Sequence, residues 1–154
     1  MLNIIVAISK NFVIGNDNTI PWNKPEDMQY FRKKTTGDKL NAVIMGYNTW
    51  KSIGKILKNR INIIIDRTIT TDYKSNFESN KSYFINNLHI AINNCKNQNH
   101  INDIWIIGGQ SIYTEVLTRN DVDNIYITKI NISVFLGLSQ SFNNIFIHII
   151  VWIC

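Results

Sequence analysis

Asp27 stands in Pro-Trp-Asn-Lys-Pro-Glu-Asp-Met-Gln-Tyr-Phe, residues 21–31, where a helix start and an apolar patch coincide. Pro25 suits the first helical position, where its missing N–H costs nothing, so a helix begins near Pro25 with Glu26 and Asp27 in its first turn. Asp27 and Phe31 are four apart and share a face with Met28 beside them, which sets one carboxylate among apolar side chains. Desolvation in such a place raises a carboxyl pKa, and the group can then hold and deliver a proton near neutral pH. The competing reading is an aspartate that complements the positive end of the helix dipole and faces water. A second pattern, Ile-Ile-Gly-Gly-Gln-Ser at 106–111, closes an apolar run with two glycines ahead of a helical stretch. Paired glycines let the backbone approach a ligand closely and aim free helix N–H groups at it, which suits a pyrophosphate. A plain tight turn competes with that reading, because the full Gly-x-Gly-x-x-Gly pattern is absent.

The elements that would carry these residues follow from apolar periodicity. Residues 2–8, 41–46, 61–65 and 103–107 are short apolar runs of the kind buried on both faces of a parallel sheet, and 82–85 and 125–130 are further strands. Helices are expected over 25–36, 47–53, 88–95 and 110–117; in the third, the apolar residues Leu88, Ala91, Ile92 and Cys95 recur at helical spacing. Residues 9–24 and 68–81 read as loops, the first long enough to cover a site. Strands alternating with helices predict an α/β fold with an open, mostly parallel central sheet and helices on both faces. Ligands of such sheets bind beyond the carboxyl ends of the strands, which places Ala7, Gly46, Asp66, Gly108 and Thr128 around one crevice.

At 154 residues the chain is expected to form one domain over 1–154, with no partner needed for a core. The formal charge of +5 is scattered, without the clustered basic and aromatic residues of a nucleic-acid face, so no nucleic-acid partner is expected. Cys95 and Cys154 have no metal-ligand spacing, and no metal is expected. The N-terminal stretch reads as a strand, not a secretory leader, which favours a cytoplasmic location with reduced thiols.

Four segments in order carry a resemblance to a known family: Ile4-Ile5-Val6-Ala7 leading to Val13-Ile14-Gly15, Pro21-Trp22 through Phe31, Val43-Ile44-Met45-Gly46 with Thr49-Trp50, and Ile106-Ile107-Gly108-Gly109 with Ile112-Tyr113. From residue 2 to about 130 the chain resembles the dihydrofolate reductases. The resemblance implies NADPH-dependent reduction of 7,8-dihydrofolate to tetrahydrofolate, with a hydride delivered to C6 and a proton to N5. It sets Asp27 against the pterin, Thr128 hydrogen-bonded to its carboxylate, Trp22 near the ring through water and Tyr113 near the nicotinamide. Ile5, Ala7, Met28, Phe31, Ile53, Leu57 and Ile107 would pack around the substrate, and Arg60 would hold its glutamate tail through paired hydrogen bonds. The cofactor would meet Ala7, Ile14, Gly15, Asn18, Ile20, Gly46, Asn48, Thr49 and Ile107, then Gly108, Gly109, Gln110, Ser111, Ile112 and Tyr113, with one glycine-glycine bond typically cis. Asp66 and Arg67 occupy the place of a pair that grips the adenosine 2′-phosphate. Arg67 suits that task, and Asp66 opposes it unless turned away. Tyr47 stands where the family has a cation.

The resemblance stops near residue 130, and residues 131–154 contain no Asp, Glu, Lys or Arg. Family members continue with an acidic Gly-Asp-Thr motif and a long antiparallel hairpin, and this tail has neither. A membrane anchor is not expected, because a span needs about 20 unbroken apolar residues and Ser139-Gln140-Ser141 and Asn143-Asn144 interrupt the run. One strand standing in for the hairpin, or a shifted reading frame, are the two accounts of the tail. A monomer is expected, with a dimer through an exposed C-terminal edge as the alternative. The rival functions are a catalytically impaired homologue that binds NADPH or folate, a same-fold pyrimidine reductase of riboflavin synthesis, and the reductase part of a longer polypeptide.

Overall fold

Side chains of a strand alternate between faces, so an apolar run buried on both sides feeds two separate cores. A computed structural model describes residues 1–16, 19–70, 77–134 and the backbone of 140–141. Its strands are β1 (Leu2–Ile8), β2 (Val13–Gly15), β3 (Asn41–Gly46), β4 (Arg60–Ile65), β5 (Ser82–Ile85), β6 (Ile104–Ile106), β7 (Asn124–Lys129) and β8 (Gln140–Ser141). The helices are α1 (Pro25–Thr36), α2 (Tyr47–Ile53), α3 (Leu88–Lys96) and α4 (Gln110–Val116). Six strands form one sheet in the order β5-β4-β3-β6-β1-β7, and every pair in it is parallel. The expected elements all occur, with ends moved by a residue or two.

On one face Leu2, Ile4 and Val6 of β1, Ala42 and Ile44 of β3, Ile61 and Ile63 of β4, and Ile104 and Ile106 of β6 pack under α3 and α4. Those helices contribute Leu88, Ala91, Ile92, Cys95, Ile112, Tyr113 and Val116, all buried. Burial of each large aliphatic side chain stabilises the fold by about 1.5–3 kcal/mol, so this layer carries most of the cohesion. Cys95 lies inside it as a free thiol, and burial pushes its pKa up to about 12. Cys154 lies outside the described residues.

The opposite face is covered differently. Its core is small, made of Ile5, Val43, Met45, Ile64 and Trp105, and Phe31, Trp50, Ile53 and Leu57 lie over it only partly buried. The only fully buried residue of α1 is Thr35, and α2 has none. The space between the two helices, over this thin core, is a cleft.

The structure corrects one expectation. Residues 9–24 are not loop throughout, because β2 lies within them and pairs antiparallel with β8. Its partner comes from residues 140–141, and a three-residue strand has too short a pattern to be read without it. The loop is also braced nearer its start: Lys10 N–H donates to Ile132 O at 2.7 Å, and the Asn11 side chain donates to Val134 O at 2.8 Å and accepts from Val134 N–H at 3.1 Å. The uncharged tail thus supplies one short strand and a backbone clamp. Its other residues, 135–139 and 142–154, lie outside the described set, as do the middle of the 68–81 loop and the tip residues 17 and 18. Among the described residues no helix is long and apolar enough to cross a membrane.

Asn62 is wholly buried on β4 and holds the turn that leads into the strand. Its side chain accepts from Leu57 N–H at 2.9 Å and donates to Leu57 O at 3.0 Å and Arg60 O at 3.1 Å. Asn62→Ala strands these buried groups, so it should lower unfolding free energy by about 1–3 kcal/mol in urea titration. An unchanged midpoint would show that the turn holds itself.

Candidate active site

The cleft has a volume of about 1350 Å³ and opens at the carboxyl ends of the sheet strands. Its walls come from β1, α1, α2 and α4, from the loop after β1, and from the segments that leave β4 and β6. Met28 and Ile20 are large apolar side chains more than half exposed, and both line it. Apolar surface kept open beside polar groups marks a ligand site.

Asp27 lines the cleft from the first turn of α1, half-buried, near Ile5, Trp22, Met28 and Phe31, which line it with it. Burial raises its carboxyl pKa above the ordinary aspartate value, and a hydrogen bond from the Thr128 hydroxyl lowers it in part. Thr128 reaches it because β7 pairs with β1 in a register that sets Thr128 beside Ala7, the last cleft residue of β1. Thr128 itself is not among the lining residues; it acts through Asp27. The Trp22 indole N–H is buried and has no hydrogen-bond partner among the described residues. Ile53, Leu57 and Ile107 complete the expected apolar wall.

Arg60 is placed differently. Its guanidinium is buried, donates from Nη1 to Thr35 Oγ1 at 2.7 Å and from Nε to Lys58 O at 3.0 Å, and lies 6.0 Å from the centre of the Phe31 ring. It does not line the cleft, and stands behind Phe31, which does.

The glycine side of the cleft is built by close backbone approach. Gly46 N–H donates to Gly108 O at 2.7 Å, joining the end of β3 to the segment after β6. The Gly108–Gly109 peptide is cis, as the family resemblance implies. A Cβ on Gly109 would meet Thr49 Oγ1 at 3.2 Å, and one on Gly108, whose φ is +114°, would meet the Tyr113 ring at 3.2 Å. Only a bare backbone leaves this floor open, so the residues present fit a bulky group carrying phosphates. Tyr113 is buried, its hydroxyl donates to Ile5 O at 2.8 Å, and burial raises its pKa. Ile14, Gly15, Asn48, Gln110, Ser111 and Ile112 line the same cleft, and Asn18 lies outside the described residues.

Asp66 and Arg67 both line the cleft but face different ways. The Asp66 carboxylate accepts from Thr68 N–H at 3.0 Å and Thr68 Oγ1 at 2.7 Å, which holds its pKa down and turns it into its own loop. Arg67 pairs through Nη2 with Glu115 Oε2. Glu115 and Thr118 line the cleft unforeseen, although a signal existed: they follow Ser111 by four and seven residues, on the same helical face. Ser52 likewise follows Thr49 by three. Lys55, just past the α2 cap, had no such signal.

A parallel sheet with a cleft at its carboxyl ends, a bare-backbone floor on one side and a half-buried carboxylate on the other, defines a nucleotide-dependent α/β enzyme. The family model for dihydrofolate reductase matches residues 1–143. The dihydrofolate reductase of Buchnera aphidicola subsp. Baizongia pistaciae is 39% identical over 129 residues, 84% of this chain and 70% of that protein. The Bacillus subtilis enzyme is 34% identical over 131 residues, 85% and 70% of the two chains, and that of Bos taurus 34% over 137 residues, 84% and 72%. The chain belongs to the dihydrofolate reductase family.

A carboxyl group whose pKa is higher in the folded than in the unfolded chain opposes folding once it ionises. Its contribution is therefore lost as pH rises from the ordinary aspartate range through the raised Asp27 value. Asp27→Asn should melt at a higher temperature than the unaltered chain at pH 7 and show little difference at pH 4, by differential scanning fluorimetry. Equal melting at both pH values would mean that Asp27 is solvated.

Proposed function

We propose that this chain reduces 7,8-dihydrofolate to tetrahydrofolate with NADPH, in the cleft between α1, α2 and α4. The observation that carries the reading is the half-buried Asp27, its pKa raised by burial, in the same cleft as the Gly108–Gly109 floor. Bound NADPH supplies a hydride for C6 of the substrate. The protein positions both reactants, keeps water out and governs the proton for N5. Asp27 is the only acid lining the cleft on α1, and protonated it can stabilise the pterin and pass on a proton. Thr128 is a positioning residue that orients the carboxylate, and the Trp22 N–H offers a donor beside it. Met28, Phe31, Ile53 and Leu57 form the apolar trough for the pterin and the ring that follows it.

Arg60, buried behind Phe31 with Nη1 and Nε held by Thr35 and Lys58, would reach the glutamate tail only through its remaining Nη2 edge once the tail passes the Phe31 wall. The glycine floor with Thr49 and Ser111 takes the phosphates. Tyr113, held by Ile5, walls the nicotinamide, and the loop carrying Ile14, Gly15, Ile20 and Trp22 closes over it. The state proposed is a monomer in the cytoplasm, where reduced nucleotide and folate meet.

Following NADPH absorbance with dihydrofolate tests the proposal. Asp27→Asn should lower kcat/KM at pH 7 by about 10²–10⁴-fold, with NADPH affinity kept. NADPH binding without turnover by the unaltered chain would make it a binding protein instead. Thr128→Val removes the hydrogen bond that lowers the Asp27 pKa, so the limb where the rate falls with rising pH should move to higher pH. An unmoved limb would assign that titration to another group.

A further inference from the structure

Glu115 has two partners, one on each carboxylate oxygen. Oε2 pairs with Arg67, and Oε1 lies 3.6 Å from His89 Nε2 on α3. His89 Nδ1 is 2.6 Å from Arg119 Nη1. A guanidinium only donates, so Nδ1 accepts and the ring hydrogen sits on Nε2, toward Glu115. Arg119 is itself held by Asp121, which also takes Lys96 at 2.8 Å. Glu115 is thus fixed from behind by a chain of surface charges while it holds Arg67 at the front.

The charge balance makes this pairing consequential. Among the described residues, two basic side chains line the cleft, Lys55 and Arg67, against the carboxylates of Asp27, Asp66 and Glu115. Tyr47 adds no cation, and Asp66 is satisfied by Thr68. A phosphate monoester arriving beside β4 therefore finds Arg67 already paired.

We infer that Glu115 is a specificity-determining residue that holds Arg67 in the nucleotide-free protein and yields it to the 2′-phosphate of NADPH. This rests on the NADPH reading above. The phosphate wins the exchange because it carries nearly twice the charge of a carboxylate and accepts the guanidinium's fork. Glu115 can release Arg67 because His89 still faces its other oxygen. NADH has no 2′-phosphate and leaves the pair intact. Preference for NADPH over NADH is then the difference between two pairings of one arginine, and Glu115 narrows it.

Tryptophan fluorescence titrations with NADPH and NADH, at low ionic strength, test this on the unaltered chain, Glu115→Gln, Arg67→Gln and the double variant. The ion pair is largely exposed, so its removal should tighten NADPH by about two- to fivefold. NADH affinity should not change, which also shows that the variant is folded, and Glu115→Ala should repeat the result. In the Arg67→Gln background, Glu115→Gln should have no effect. Equal tightening in both backgrounds, or of both nucleotides, would mean general repulsion and would overturn the exchange. An unchanged NADPH to NADH ratio in Glu115→Gln, with NADPH still bound, overturns this inference alone. Failure of the unaltered chain to bind either nucleotide overturns the NADPH reading and the inference with it.

Discussion

Placing a carboxylate under apolar side chains is unfavourable unless another element offers it a hydrogen bond, and for Asp27 that element is β7, at the far end of the sheet order. The Thr128 hydroxyl arrives beneath α1 only because β7 runs parallel to β1 in a register that pairs Thr128 with Ala7. A shift of one residue would turn Thr128 to the other face of the sheet. The hydrogen bond to Asp27 thus depends on the registry of two strands more than a hundred residues apart. Burial holds its pKa above the usual carboxylate range, and the single hydroxyl keeps that rise in check.

The two faces of the sheet share the work unequally. Under α3 and α4 lies a thick aliphatic layer with its helices seated on it. Under α1 and α2 lies a thin one, on which Phe31, Trp50 and Ile53 of those helices are only partly buried. A protein stabilised chiefly on one face can leave a cleft on the other, because the strands between are already fixed. Residues such as Phe31, Ile53 and Leu57, half-covered by the fold, form apolar wall of the cleft. The Asn62 side chain links the two tasks, since it sits buried in β4 and fixes Leu57.

Membership of the dihydrofolate reductase family accounts for the glycine floor, the aspartate and the apolar trough together. The charges around Arg67 form a connected arrangement. Tyr47, an aspartate folded back on Thr68 and a glutamate fastened to Arg67 leave this end of the cleft with little free positive charge among the described residues. The uncharged tail gives β8 and the clamp on Asn11 to the loop that borders the cleft.

Local pattern was sufficient for most of the fold. Apolar runs of β-branched residues marked six strands, Pro25 marked the start of α1, and the paired glycines marked the floor, because each signal lies within a few neighbouring residues. The same signals placed Asp27 beside Phe31 and Met28. Strand β2 escaped because its reason for being a strand lies in residues 140–141. Whether Asp66 faced a ligand or its own loop, whether Arg67 was free or paired, and whether Arg60 opened into the cleft or stood behind Phe31 were decided by tertiary contacts. The sequence by itself determined the elements and the family. Only the folded chain decided which charges meet, since a side chain's partner depends on the separation of atoms in space, which residue order along the chain does not encode locally.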